Sequence, residues 1–155
     1  MADQTADDLF ARHHRDVHRY LARMTGCRDA ADDLSQEVFL RVVRALENGG
    51  AVGHERAWVF SIARNLLADR WRRDGRRGAE VDEAAEPAAD GTQALAVGLA
   101  EALQRLPDTD REMFLLKEIG GLSYQELAVV SGCTVEAVRA RLWRARTALR
   151  RLLSL

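Results

Sequence analysis

Apolar residues along this chain return at steps of three and four and nowhere alternate singly, so the pattern predicts helices and no strand. Thr5 with Asp8 forms a capping-box start for a helix whose apolar positions are Leu9, Phe10, Val17, Tyr20, Leu21 and Met24, ended by Gly26. Asp29 opens a second helix with the stripe Leu34, Val38, Val42 and Leu46. Asn48 to Gly53 then breaks the period with Gly49, Gly50 and Gly53, which predicts a loop. A third helix resumes near His54, turns Trp58, Ile62, Leu66 and Leu67 inward, and stops near Gly75. From Gly75 to Gly91 the chain is rich in Ala, Glu and Asp, holds a Pro and has no apolar period, the signature of a flexible linker. Leu95 to Leu106 and Asp108 to Gly120 predict two further helices.

The last third is the most informative. Ser123 followed by Glu126 is a capping box for a short helix, Tyr124 to Val130; Ser131-Gly132-Cys133 makes a turn, and Thr134 caps the final helix. There Val135, Val138, Leu142, Ala145, Leu149 and Leu152 form one stripe. Glu136, Ala140, Trp143, Arg144 and Thr147 point the other way, with Arg139 and Arg150 on the flank. A short helix, a glycine turn and a basic second helix predict a helix-turn-helix, whose second helix enters the DNA major groove. The fold class is therefore all-α: a three-helix domain over 1–74, a linker over 75–93, and a four-helix domain over 94–155 that ends in the helix-turn-helix.

Charge sharpens this picture once it is placed. The net charge of −1 over 155 residues is unremarkable for a nucleic-acid binder only because the charges are segregated. Arg64, Arg70, Arg72, Arg73, Arg76 and Arg77 form one basic block and Arg139 to Arg151 another, with Glu80, Asp82, Glu83, Glu86 and Asp90 between them. Two separated positive blocks predict two DNA contacts, with acidic surface left for another partner. On the second helix Asp33, Gln36 and Glu37 share a face at spacings of three and four, a complementary surface for a basic partner.

Several function classes drop out. No apolar run approaches the roughly 18 residues of a membrane span, and no basic-then-apolar leader opens the sequence. Cys27 and Cys133 lie in different predicted domains, so a reducing cytoplasm fits better than a disulfide framework. His14 and His18 are spaced for a metal pair, but no carboxylate or Cys completes a tetrahedral set, and no cofactor or metal is expected. Phosphate-cradling loops and nucleophile elbows are missing, which leaves an enzyme without a foothold.

Four stretches in order, HRDVHRYLARMTG, DAADDLSQEVFLRVVRAL, AWVFSIARNLLADRWRR and ALQRLPDTDREMFLLKEIGGLSYQELA leading into the Arg-rich helix, resemble the bacterial extracytoplasmic-function sigma factors over nearly the whole chain. The resemblance implies a transcription initiation factor that carries core RNA polymerase to promoters. It assigns Asp33, Gln36 and Glu37 to the coiled coil of the polymerase's largest subunit, with Phe39 and Leu40 supporting the packing, and implies the flap of the polymerase as a further contact. It implies −10 DNA contacts from Asn48, His54, Arg56, Arg64, Asn65, Arg70 and Arg73, and −35 contacts from Tyr124, Gln125, Thr134, Glu136, Arg139, Ala140, Trp143 and Arg144. It also implies an anti-sigma factor as a partner. The stretch ENGGAVGHERA, from Glu47 to Ala57, departs from the family: glycines stand where relatives often carry an aromatic-Arg-Gly element that captures a flipped base. Glu136 stands where a small residue is common in the family; a carboxylate there either accepts from a cytosine amino group or repels phosphate. The alternative reading is a free-standing helix-turn-helix regulator, which explains the last third and leaves the DDLSQEVFL face without a role.

Overall fold

The ends of the helices are set by side chains that the sequence supplies. Thr5 Oγ1 accepts from the Asp8 amide at 3.1 Å while Asp8 Oδ2 accepts from the Thr5 amide at 3.3 Å, and Gly26 closes the same helix in the left-handed region at φ +67°. In this computed structural model the described residues are 5–49, 53–75 and 93–154, with backbone alone over 93–97. They form seven helices and no strand: α1 Ala6–Thr25, α2 Arg28–Glu47, α3 Glu55–Asp74, α4 Gln93–Gln104, α5 Asp108–Glu118, α6 Tyr124–Ser131 and α7 Val135–Leu152. The expected linker falls almost entirely outside the described residues.

In the first domain α1 lies along both α2 and α3, which also pack on each other. Leu9, Val17, Leu21 and Met24 of α1 meet Leu34, Val38 and Val42 of α2, and the Tyr20 ring stands edge-on to Phe60 of α3 at 5.7 Å. Each such fully buried aliphatic side chain contributes about 1.5–3 kcal/mol. The second domain is built on α7, which packs on α4, α5 and α6 and buries Val138, Leu142, Ala145 and Leu149 against Leu103, Met113, Leu116 and Leu127.

Five side chains expected inside stand elsewhere. The third helix buries Val59, Phe60 and Ala63 alongside Leu66 and Leu67, while Trp58 and Ile62 are only partly covered. That helix is packed by the first domain on one side and by α6 on the other, so its buried face is too broad for a single stripe to mark. Phe10 is exposed, stacked on His14 at 4.4 Å and edge-on to Phe39 at 5.1 Å. Leu40 does not support the packing as expected but stands exposed beside the acidic face, and Leu152 is uncovered in the final turn of α7.

The two domains touch. The first domain's α1 meets α4 and α5, and its α3 meets α6, so the N-terminal half of α3 is held between them.

Candidate nucleic-acid interface

The helix-turn-helix is fastened by its own short-range bonds. Ser123 Oγ accepts from the Glu126 amide at 3.1 Å and Glu126 Oε1 accepts from the Ser123 amide at 2.9 Å, satisfying two orphan donors of α6 at once. Gly132, at φ +66°, turns the chain where a side chain would be strained, and Thr134 Oγ1 then accepts from the Ala137 amide at 3.0 Å to start α7. At the end of α5 a Cβ on Gly120 would collide with the Leu116 carbonyl, so the sharp exit toward α6 needs glycine there.

With Val138, Leu142 and Ala145 turned into the core, α7 shows Glu136, Arg139, Ala140 and Trp143 to solvent. Trp143 is 68% exposed, one turn on from exposed Arg139 on the same face of α7. Tyr124 is half-buried under two cations, with Lys117 Nζ 5.3 Å and the Arg139 guanidinium carbon 5.7 Å from its ring centre. Gln125 is exposed on α6. Arg144 is tied down: its Nε and Nη2 donate to Asp110 Oδ2 and Oδ1 at 3.3 and 3.2 Å, a fork onto a buried carboxylate of α5. Asp110 thus braces α7, a role no sequence period signals.

The residues expected at −10 DNA are dispersed over one edge of the first domain. Asn48 caps the C-terminus of α2 and is exposed, and the Gly50–Val52 part of the glycine-rich loop lies outside the described residues. His54 precedes α3 and its Nδ1 is 3.5 Å from Glu126 Oε2 of α6. Asn65 and Arg73 are exposed, Arg70 Nε is 3.7 Å from Asp74 Oδ2, and Arg72 pairs with Asp69. Arg56 and Arg64 reach the other domain instead: Arg56 donates to the Gly120 carbonyl at 3.1 Å, and Arg64 Nε donates to Glu112 Oε1.

On the far side of α2, Asp33 and Gln36 are exposed and Glu37 is half-buried. Asp33, Glu37, Arg41, Arg70 and Arg73 line a groove of about 670 Å³ between α2 and α3, so the acidic face runs directly into basic groups. Glu37 and Arg41 approach to 4.0 Å, a surface pair of little energetic weight.

One cluster escaped the sequence reading. Arg12 Nε and Nη2 donate to Glu55 Oε1 and Oε2 at 2.7 and 3.0 Å, and Nε2 of buried His13 is 2.6 Å from Glu55 Oε1. Burial pushes the Glu55 carboxyl up, but the hydrogen bonds and charges of Arg12 and His13 outweigh it and hold the carboxyl below its ordinary range. The cluster pins α1 to the N-terminus of α3, where the helix dipole also favours an anion. Its only sequence signal is a glutamate in a first helical turn.

His14 bonds the Phe10 carbonyl and His18 bonds Asp32, and no group of three or more metal-binding side chains occurs among the described residues. Cys27 and Cys133 are half-buried free thiols, with Arg141 Nη1 3.7 Å from the Cys133 sulfur. No described helix is long and apolar enough to cross a membrane.

Residues 9–77 match sigma-70 region 2, and residues 97–149 match sigma-70 region 4. The chain is 37% identical over 142 residues to the ECF RNA polymerase sigma factor SigC of Mycobacterium tuberculosis, covering 87% of this chain and 76% of SigC. It is 34% identical to the RNA polymerase sigma factor CarQ of Myxococcus xanthus, covering 98% and 91% of the two. Against the ECF sigma factor SigE of Mycolicibacterium smegmatis, 35% identity spans 93% of this chain but 60% of the longer SigE. Among solved structures, the sigma factor RpoE in complex with the anti-sigma factor NepR from Bartonella quintana superposes with a TM-score of 0.85 at 25% identity, over 96% of each chain. CnrH in complex with the cytosolic domain of CnrY superposes with a TM-score of 0.71 at 29% identity, over 96% of this chain and 87% of CnrH. A region 2 domain of three helices, a region 4 domain ending in a helix-turn-helix, and these relatives together place the chain in the family of ECF RNA polymerase sigma factors.

Proposed function

We propose that this chain, acting by binding alone in the cytoplasm, joins core RNA polymerase and directs it to promoters with −35 and −10 elements. The observation that carries this reading is the outward Trp143 and Arg139 on the second helix of a braced helix-turn-helix, one domain away from an acidic face on α2. Asp33, Gln36 and Glu37 dock on the coiled coil of the largest subunit, and the second domain meets the flap. The boundaries are 1–74 for the docking and −10 domain, 75–93 for the linker and 94–155 for the −35 domain.

Arg139 and Trp143 enter the −35 major groove with Glu136 and Ala140 facing base edges, while Gln125 and the Tyr124 edge approach phosphate and Thr134 starts the helix. Arg144 reaches DNA with its remaining donors while Asp110 fixes its direction. At −10, Asn48, His54, Arg56, Arg64, Asn65, Arg70 and Arg73 line the path of the strand. Polymerase fixes the spacing of two individually weak halves, and each phosphate neutralised adds about −0.9 to the salt slope. An anti-sigma protein holds the chain inactive, as the NepR-bound state of a structural neighbour illustrates. The free-standing regulator remains the second reading, favoured only by the self-sufficient bracing of α7.

Gel filtration with sigma-free core polymerase tests the docking face. The chain should co-elute with core, and Asp33→Ala/Gln36→Ala should abolish co-elution; tight operator binding by the chain alone, without association with core, would move the reading to the regulator.

A further inference from the structure

Three arginines of α7 are held by polar groups of their own chain. Arg144 forks onto Asp110, Arg146 Nη2 lies 3.5 Å from Glu118 Oε1, and Arg141 Nη1 lies 3.7 Å from the Cys133 sulfur. Arg139 differs. It is exposed on the face that carries Ala140 and Trp143, and among the described residues its side chain makes no ion pair or hydrogen bond, not even with Glu136 one turn back. What holds it is a ring: its guanidinium carbon is 5.7 Å from the centre of Tyr124, within reach of a cation–π contact. Caps place both partners. Tyr124 is the first residue of α6, set by the Ser123–Glu126 box, and Arg139 is in the second turn of α7, which starts at the Thr134 cap. Tyr124 is half-buried, and Lys117 Nζ lies 5.3 Å from its ring centre while donating to the Leu122 carbonyl at 3.1 Å, so a cation tied to the α5–α6 turn also bears on the ring.

We propose that Tyr124 is a positioning residue for sequence readout, its ring seating the Arg139 guanidinium at the outward face of α7 with the N–H donors left free for a guanine edge. This rests on the reading of α7 as the helix that enters the −35 major groove. An aromatic face attracts a guanidinium through its quadrupole and takes up no N–H, whereas the Asp110 carboxylate takes two from Arg144. A seated arginine has given up part of its rotamer freedom before DNA arrives, so less is lost when it engages a base. Guanine O6 and N7 are the acceptor pair that a planar guanidinium meets bidentately, and no other base offers two acceptors side by side in the major groove. Tyr124 thus acts on the base through Arg139, while its edge remains free to approach phosphate.

Selection of bound sequences from a duplex library with a randomised central segment, using the full chain at low salt, tests this. Wild type should select a motif with a guanine column, and Arg139→Ala should erase that column. Tyr124→Leu should cut discrimination at the same column about threefold, the size that a cation–π contact at an exposed site supports, with the other columns and the salt slope unchanged. Tyr124→Phe, which keeps the ring, should hold the column at the wild-type level. Tyr124→Leu/Arg139→Ala should be no flatter there than Arg139→Ala alone. Partial unfolding of Tyr124→Leu would lower the bound fraction without changing the profile of the columns. A profile for Tyr124→Leu identical with wild type, a loss spread equally over all columns, or a Tyr124→Phe column as flat as that of Tyr124→Leu would overturn positioning and leave the −35 reading standing. No selection by wild type, or a motif that Arg139→Ala leaves intact, would sink the reading of Arg139 itself and the inference with it.

Discussion

Arg139 and Arg144 on α7 and Arg56 and Arg64 on α3 have the same chemistry and different surroundings. On α7, Arg139 lies exposed beside Trp143, and Arg144, although forked onto Asp110, keeps half of its side chain in solvent. On α3, Arg56 and Arg64 end on groups of the other domain. The difference teaches that a basic helix declares only a capacity for anions. Which anion it holds, a carboxylate of its own chain or a phosphate of DNA, depends on what the fold brings within reach.

The sharpest way to break the comparison is at Arg144. Arg144→Ala leaves Asp110 buried without its cation, and a loss of about 2–3 kcal/mol, below the range for a fully buried pair because Arg144 is half exposed, should appear in denaturant unfolding. Promoter use should fall as well, with polymerase binding little changed. Asp110→Ala/Arg144→Ala should recover most of the stability and none of the −35 affinity. Recovery of both would make Arg144 purely structural. Trp143→Ala should sharpen the contrast, costing about tenfold in −35 duplex affinity, roughly 1.4 kcal/mol, with an unchanged unfolding midpoint. A lowered midpoint would mean that the exposed indole packs on the protein. Ser123→Ala removes one half of the α6 capping box and should cost about 1 kcal/mol, read as a shift in the thermal midpoint.

The smallest effect is a pH dependence on the α3 side. Because Glu55 is held below its ordinary value near 4.5, its contribution is complete above that pH and is lost as pH falls through the lower folded value. Thermal midpoints measured from pH 6 down to pH 3 should therefore drop more steeply for wild type than for Glu55→Gln. Parallel curves would remove the Arg12–His13–Glu55 clasp from the account.

Local chemistry was legible in the sequence. Both capping boxes, the Gly26 and Gly132 stops and the inward stripe of α7 through Leu149 lie where apolar spacing and short polar side chains put them. Burial on α3 was less so, since a helix packed from two sides has no single polar face to orient the reading. Pairings across long separations were invisible. Arg64 meets Glu112 48 residues away and Arg144 meets Asp110 34 residues away, and no spacing rule reaches across a domain boundary or a turn of that length. Phe10 and Leu40 misled for a related reason, because an apolar residue at helical spacing marks the core only where a neighbour covers it.

Run-off transcription with sigma-free core polymerase, on a template from the region upstream of this chain's own gene, tests the central claim most directly. The account predicts a discrete transcript with wild type, a weakened one with Arg144→Ala, and none with Asp33→Ala/Gln36→Ala. A transcript that survives loss of the docking face, or no transcript from wild type although the chain alone holds the same DNA, would contradict it.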